Sequence, residues 1–224
     1  MENNKIVRLN YTEIQLQKII ASRVLIIGLG GVGGLVCETL VRSGIENFGI
    51  CDGDKVEESN FNRQVIANDS TLGLSKVDAC EKMMKLISRQ INIKKYDFMI
   101  DENTINQIDF NNYDLIVDCI DDVKAKVLII EKCKLLSKEI ISSMGTANKT
   151  DPNSFKIIDI NQTSYCPLAK KVRIELRKKQ INNVKVCFSN QIPQENGILV
   201  SPIYIVGSAS FVISQYVINY LINR

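Results

Sequence analysis

The residue types best suited to chemistry lie in a glycine-rich run and in an acid that follows it. The run GLGGVGG at residues 28–34 comes directly after an apolar stretch, and Asp52 ends a second apolar stretch 19 residues beyond Gly33. Glycines without a Cβ let a phosphate approach the backbone, and the free N–H groups of a following helix attract the anion. An acid about 20 residues further on accepts hydrogen bonds from a ribose. The spacing predicts nucleotide binding by Gly28, Gly30, Gly31, Gly33 and Asp52.

A polar cluster follows Asp52, and a dinucleotide site does not require it. Asn60, Arg63 and Lys76 lie within 24 residues of the acid, and Asp121 follows a later apolar stretch. An arginine and a lysine that converge on a triphosphate neutralise the charge that builds when the α-phosphate is attacked, and a strand-end carboxylate suits Mg²⁺. We therefore predict ATP and Mg²⁺ as cofactors, Arg63, Lys76 and Asp121 as catalytic residues, and Asp121 as the metal ligand. Taken singly, each residue is better explained by a structural role, as a solvated loop arginine, a helix N-terminal lysine or a strand-end acid that caps the next helix. The prediction depends on their combination.

The elements that must position these residues alternate along the chain. Apolar runs predict strands at residues 23–27, 48–51, 93–101, 114–119 and 139–143. Helical patterns predict helices at residues 10–21, 35–42, 77–91 and 123–137, with Ser75 as an N-cap. This alternation predicts an α/β fold with a doubly wound, mostly parallel, Rossmann-like sheet. Ligands of such sheets bind beyond the carboxyl ends of the strands, where Gly28, Asp52 and Asp121 fall.

The pattern changes after residue 146. Strands are predicted at 155–160 and 184–189, and helices at 165–180 and 204–222. The last helix is long enough to span a membrane, but its serines, Gln215 and Asn219 favour a buried packing helix, so we expect no stable membrane insertion. We predict an N-terminal helix arm at 1–22, an ATP-binding Rossmann-like domain at 23–146 and a smaller C-terminal α+β extension at 147–224 that faces the substrate.

Composition narrows the chemistry further. The 224 residues carry a formal net charge of +3 at pH 7 and no histidine, so catalysis must use carboxylates, lysine, arginine, cysteine, backbone N–H groups or a metal. The seven cysteines form no C-x-x-C pair, which argues against zinc and against a disulfide framework and favours a reducing compartment. The polar start MENNK lacks the apolar core of a signal peptide. We expect a cytoplasmic protein.

Four further motifs accompany the glycine run: DGD at 52–54, SNFNRQ at 59–64, GLSK at 73–76 and DCID at 118–121. In order and spacing these five motifs resemble the ubiquitin-activating-enzyme superfamily of ThiF/MoeB-type adenylyltransferases. The resemblance implies contacts from Asp52 to ribose, from Asn60, Arg63 and Lys76 to phosphates, and from Asp121 to Mg²⁺. Asp54, in the DGD motif, joins the predicted cofactor-binding residues.

Motifs of the second half narrow the resemblance. They are DP at 151–152, DI at 159–160, TSYCPLA at 163–169 and VCFS at 186–189. They are similar to motifs of the tRNA threonylcarbamoyladenosine dehydratase branch. Members of this branch use ATP to activate the carboxylate of that modified base for ring closure. The resemblance implies a tRNA-modifying enzyme that releases AMP and pyrophosphate. Two alternatives stay open: adenylation of the C-terminus of a ubiquitin-like sulfur-carrier protein, which would make a carrier or sulfur-transfer protein a partner, and a nucleotide-binding module without activity.

A basic segment offers a surface for RNA. Residues 167–180 carry six cations and one acid, a net charge of +5. Such a helix suits a phosphate backbone, although a solvated helix face has the same composition. The predicted tRNA contacts are Lys170, Lys171, Arg173, Arg177, Lys178 and Lys179.

Two expectations concern other residues. Superfamily relatives pair their nucleotide domains, which implies a homodimer in which Arg8 reaches the phosphates of the other subunit. The alternative for Arg8 is a solvated terminal side chain. We expect no single cysteine to be required, because free cysteine is often a small buried apolar residue, and Cys166 and Cys187 are the two to test.

Overall fold

The structure is a computed structural model, and it describes residues 9–194, 197–198 and 200–224. The strands are β1 (Arg23–Ile27), β2 (Asn47–Cys51), β3 (Asn92–Tyr96), β4 (Leu115–Asp118), β5 (Glu139–Ser143), β6 (Phe155–Asp159) and β7 (Lys185–Ser189). The helices are α1 (Glu13–Ala21), α2 (Gly31–Arg42), α3 (Lys76–Ile87), α4 (Val123–Leu135), α5 (Pro167–Lys178) and α6 (Ile203–Asn223). Arg8 lies outside the described residues, so its role stays a prediction.

Within the described residues, seven strands form one sheet in the order β3-β2-β1-β4-β5-β7-β6. Neighbouring strands pair in parallel from β3 to β7, and β6 runs antiparallel to β7. The chain order reverses between β1 and β4, so the crevice beyond their carboxyl ends is the switch point at which doubly wound sheets bind ligands. The predicted α/β class with a mostly parallel, Rossmann-like sheet is confirmed.

The central strands are buried on both faces. On β1, Val24 and Ile26 face a core shared with α1, α2, α3 and α6, whereas Leu25 and Ile27 face a core shared with α4 and α5. All four side chains are at most 1% exposed. Because helices cover both faces, the strands are continuous apolar runs in the sequence.

Helix α6 packs along α2. Its buried residues include Val206, Ala209 and Ile213, and the Ser210 hydroxyl donates a hydrogen bond to the Val32 carbonyl oxygen at 2.9 Å. By length and composition α6 is one helix of the described chain that could cross a membrane, but half of its apolar window is buried against the rest of the protein. A helix of a protein core has the same properties, which favours the packing role predicted from its polar residues.

Several element boundaries differ from the sequence-based prediction, and α2 and β3 are the most instructive. Helix α2 begins at Gly31 rather than at residue 35, because its first turn is built from glycines that have weak helix propensity but are required by packing. Strand β3 ends at Tyr96 rather than at residue 101, and bends and turns follow it. The sheet continues past residue 146, since β7 pairs directly with β5, and the division into domains after this residue stays a prediction.

Candidate active site

A cavity of about 960 Å³ lies at the carboxyl edge of β1, β2 and β4, a size typical of cofactor sites. Its wall brings together most of the residues that the sequence analysis selected. They are Gly28, Gly30, Gly31, Asp52, Asp54, Asn60, Arg63, Lys76 and Asp121. Gly33 lies beneath this wall, packed against the Gly28 carbonyl group.

Two glycines of the loop are required by geometry. Gly28 has a φ of +89°, and a Cβ there would lie 2.8 Å from the carbonyl carbon of Cys119. A Cβ on Gly33 would lie 1.8 Å from the Gly28 carbonyl oxygen, far closer than two such atoms can approach. In the described part of the chain no side chain caps α2 at Gly30. The first N–H groups of α2, on residues that line the cavity, are therefore available to an anion.

Asp52 is held at the end of β2 by two backbone donors. Its Oδ2 accepts a hydrogen bond from the Leu29 N–H at 2.7 Å, and its Oδ1 accepts one from the Asp54 N–H at 2.9 Å. Burial raises the pKa of the Asp52 carboxyl group, while nearby Lys76 and the two N–H groups act in the opposite direction. The carboxyl group thus has a fixed orientation between the glycine loop and Lys76, in the position expected of a ribose acceptor.

Lys76 is the first residue of α3. Ser75 caps this helix by accepting a hydrogen bond from the Asp78 N–H at 3.3 Å, so the predicted N-cap is confirmed. The Lys76 Nζ lies 2.7 Å from Asp54 Oδ2 and 4.0 Å from Asp52 Oδ1. The Lys76 side chain is only 9% exposed, so these two carboxylates hold its ammonium group in the cavity wall.

Arg63 and Asn60 come from the polar loop after β2. A single 3-10 turn, Glu58–Asn60, forms there, and Asn60 Oδ1 accepts a hydrogen bond from the Glu57 N–H at 3.2 Å. The Arg63 Nη1 donates to the Ser59 carbonyl oxygen and to Asn62 Oδ1, each at 2.8 Å. Among the described residues the guanidinium makes no other hydrogen bond, which leaves donors available to a ligand in the cavity.

Asp121 and Asp122 are neighbours in the chain but have different surroundings. The Asp122 side chain caps α4 by accepting a hydrogen bond from the Ala125 N–H at 2.8 Å. Asp121 is exposed, lines the cavity and has no hydrogen bond or ion pair within the described chain. No group of three acids or cysteines in that part of the chain forms a metal cage. Mg²⁺ commonly takes one or two carboxylates together with phosphate oxygens, so a single free carboxylate in the same cavity as the glycine turn fits this ion.

Sequence reasoning missed a buried ion pair under this edge of the sheet. Lys126 of α4 and Asp118 of β4 are both 0% exposed, and the Lys126 Nζ lies 2.8 Å from Asp118 Oδ2. The same Nζ donates to the Ile120 carbonyl oxygen at 2.8 Å, and the Ser142 hydroxyl donates to Asp118 Oδ2 at 2.6 Å. These bonds fix the turn that carries Asp121. The available signal was a lysine on the apolar face of a predicted helix, eight residues after a strand-end acid.

Most cations of the basic segment are engaged within the protein. Arg173 donates to the Thr163 carbonyl oxygen at 2.9 Å, Arg177 donates to Asn161 Oδ1 at 3.3 Å, and Lys178 and Lys179 form ion pairs with glutamates. Lys170 and Lys171 are exposed and have no polar partner among the described residues. These two lysines are therefore the cations of α5 that a nucleic acid could contact without displacing an internal bond.

The two cysteines selected for testing are both buried. Cys187 is 2% exposed, and burial raises the pKa of its thiol to about 12. Cys166 is 6% exposed, and its Sγ caps α5 by accepting a hydrogen bond from the Ala169 N–H at 3.4 Å. Cys187 is therefore a poor nucleophile, because its thiol stays protonated at neutral pH.

A glycine turn at the switch point of a doubly wound sheet, with cations and acids beside it, defines a nucleotide-binding α/β protein. The chain belongs to the ThiF family, which it matches over residues 4–223. It is 37% identical over 179 residues to the tRNA threonylcarbamoyladenosine dehydratase of Bacillus subtilis, covering 80% of this chain and 70% of that protein. A Haemophilus influenzae protein with the same name is 36% identical and is covered to 64% of its length. The resemblance found in the motifs is confirmed.

Solved structures of this family share the fold. The E. coli tRNA N6-threonylcarbamoyladenosine dehydratase TcdA, in a complex with ATP, matches with a TM-score of 0.89 at 24% identity, over 95% of this chain and 90% of that one. At this identity the likeness establishes the shared architecture.

Proposed function

We propose that this protein is an ATP-dependent tRNA threonylcarbamoyladenosine dehydratase. It adenylates the carboxylate of threonylcarbamoyladenosine in tRNA and lets the activated side chain close into a ring. The observation that carries the proposal is that Arg63, Lys76 and Asp121 line the same cavity as the glycine turn. The identity to the Bacillus subtilis dehydratase supports the choice of substrate.

The first step is transfer of an adenylyl group. An oxygen of the substrate carboxylate bonds to the α-phosphorus, the bond from that phosphorus to the bridging oxygen breaks, and pyrophosphate leaves. Negative charge develops on the phosphoryl oxygens and on the leaving group, where cations stabilise it most. Lys76 exchanges Asp54 for a phosphate oxygen, and Arg63 donates from the guanidinium nitrogens that are free within the described chain.

The second step is ring closure. A nucleophilic atom of the same side chain attacks the activated carbonyl carbon and loses its proton, and AMP leaves. The elements of water are removed from the substrate and are recovered in AMP and pyrophosphate. An attacker held in the same molecule needs no covalent enzyme intermediate, which agrees with the buried, protonated Cys187.

Asp121 is the residue we assign to Mg²⁺. The ion, if held there, would supply positive charge that stabilises the negative charge of the phosphates. The Asp118–Lys126 pair holds the turn that carries Asp121, and Asp122 caps α4, so the Asp121 carboxylate stays free for this role.

Pyrophosphate release from ATP tests the proposal. The protein is incubated with tRNA that carries threonylcarbamoyladenosine, with the same tRNA lacking this modification, and with a carrier protein that ends in glycine. We expect release with the modified tRNA alone. Release with the carrier would favour the sulfur-carrier alternative, and release with none of the three would favour a nucleotide-binding module without activity. A Lys76→Ala variant should lose this release. Its control is Lys82→Ala, because Lys82 lies on the same helix but contacts Ser70 at the surface.

The proposal extends to the cell compartment, the subunit assembly and the surface that faces the tRNA. The protein acts in the cytoplasm as a homodimer, Arg8 reaches the phosphates of the other subunit, and residues 147–224 face the tRNA. Mixing Arg8→Ala with Lys76→Ala subunits tests the trans arginine, since a heterodimer then has one site without either defect and activity partly returns. If heterodimers form and activity does not return, Arg8 does not act in trans.

A further inference from the structure

Tyr165 is an exposed aromatic residue beside the wall of the cavity. Its side chain is 61% exposed, and within the described chain it forms no hydrogen bond. The next residue, Cys166, lies against the cavity wall, since its Sγ is 3.4 Å from the position of a Cβ on Gly145. Leu168, three residues after Tyr165, lines the cavity directly. Tyr165 does not line the cavity itself, but it directly precedes residues of the cavity wall, so parts of a large substrate outside the cavity would pass near it.

Tyr165 is also held in a fixed position. Its φ of +52° lies in the left-handed region, which non-glycine residues seldom adopt. On its N-terminal side, Thr163 is tied down by Arg173 and by its own hydroxyl, which donates to the Ile160 carbonyl oxygen at 2.7 Å. On its C-terminal side, Cys166 and Pro167 begin α5. Both flanks are anchored, so stacking of the ring on a ligand would require little further ordering of the backbone.

Positive charge follows Tyr165 closely along the chain. Lys170 and Lys171 stand in the second turn of α5, five and six residues after Tyr165, and both are exposed. In the described part of the protein neither has a polar partner, in contrast to the other four cations of the segment. An exposed aromatic ring next to free lysines is the combination that binds unpaired nucleotides, because the ring stacks on a base and the cations contact phosphates.

We propose that Tyr165 stacks on an unpaired base next to the modified nucleotide, while Lys170 and Lys171 contact the adjoining phosphates. This inference rests on the proposed function, since it takes RNA as the substrate. The stacked base adds to the affinity for the RNA outside the cavity and takes no part in the chemical step. Arg173, Arg177, Lys178 and Lys179 support the helix through their internal bonds and contribute little direct contact.

Two substitutions separate the ring from the backbone geometry. Tyr165→Asn removes the ring but tolerates the left-handed conformation, and Tyr165→Phe keeps the ring. The tRNA dissociation constant and the KM and kcat for tRNA are measured for each variant at one salt concentration. Loss of one stacked base weakens binding about tenfold or more. We expect this loss for Tyr165→Asn, with kcat and ATP affinity unchanged, and a change of less than about threefold for Tyr165→Phe.

A direct probe and a matched control complete the test. A 2-aminopurine base beside the modified nucleotide should be quenched by the wild type and by Tyr165→Phe, but not by Tyr165→Asn. Leu86→Ala removes another exposed apolar side chain, 84% exposed near the far end of α3, and should leave tRNA binding unchanged. If Tyr165→Asn binds tRNA like the wild type, the inference is wrong although the proposed function stands. If the wild type neither binds nor adenylates the modified tRNA, both fail.

Discussion

Replacing Lys126 by methionine tests how the buried ion pair contributes to stability. Methionine keeps much of the length of the side chain and removes the charge. Asp118 would retain the hydrogen bonds from the Ser142 hydroxyl and the Ile120 N–H but would lose the ammonium group 2.8 Å away. Removing one partner of a buried pair typically costs about 3–5 kcal/mol, because a charge is left uncompensated away from water.

Urea unfolding followed by circular dichroism measures this cost. A loss of about 3–5 kcal/mol is a large part of the roughly 5–15 kcal/mol that stabilises a domain. At about 2–4 °C per kcal/mol, the melting temperature should fall by roughly 6–20 °C. The matched control is Lys124→Met on the same helix, since Lys124 is exposed and should tolerate the change.

The double variant Lys126→Met with Asp118→Asn distinguishes a buried charge from lost packing. An amide at position 118 has no charge to compensate, and its oxygen still accepts a hydrogen bond from Ser142. We expect the double variant to be more stable than Lys126→Met alone, with a coupling energy of about 1–3 kcal/mol. If Lys126→Met costs less than about 1 kcal/mol, or if the two changes simply add, the reasoning about this pair is refuted.

The remaining predictions concern activity and reactivity. Arg63→Ala and Lys76→Ala should each lower turnover about 10²–10³-fold with the fold intact, whereas Lys82→Ala should not. If Arg63→Ala and Lys76→Ala keep near wild-type turnover, the two residues do not stabilise the phosphates. Asp121→Ala should impair Mg²⁺-dependent turnover more than nucleotide binding measured by calorimetry, and an unchanged Mg²⁺ dependence would contradict the metal role. Cys187 should resist iodoacetamide at pH 8 until the protein unfolds, because burial raises the pKa of its thiol to about 12, and Cys187→Ser should stay active.

The sequence predicted the parallel sheet well because covering both faces makes each central strand a continuous apolar run. It placed the start of α2 too late, since glycine is read as a helix breaker and only the packing of Gly33 against Gly28 shows why it is needed there. Strand β3 was extended too far because it is an edge strand in which Lys94 and Lys95 interrupt the apolar pattern. Edge strands often carry such lysines, so their ends are poorly marked.

The residues of the candidate site were also predicted only in part. Residues within one motif, such as Asp52 and Asp54, were found because their spacing is local. The Asp118–Lys126 ion pair forms because α4 packs against β4. Neither residue alone indicates this pair in the sequence. The basic character of the segment after Pro167 was visible, but which cations are free became clear only when partners such as Glu131 were placed beside them.

The order of strands has a consequence for synthesis on the ribosome. Strand β6 emerges before β7, yet β7 lies between β6 and the rest of the sheet, so β6 must wait without a partner. Helix α6 comes later still, and its Val206 contacts the turn at Gly31 that lines the cavity. In a nascent chain that ends before α6, the apolar face of α2 is therefore exposed to water. A ligand in the cavity would not cover that face. The wall of the cavity is completed only when α6, which follows all seven strands of the described chain, has docked.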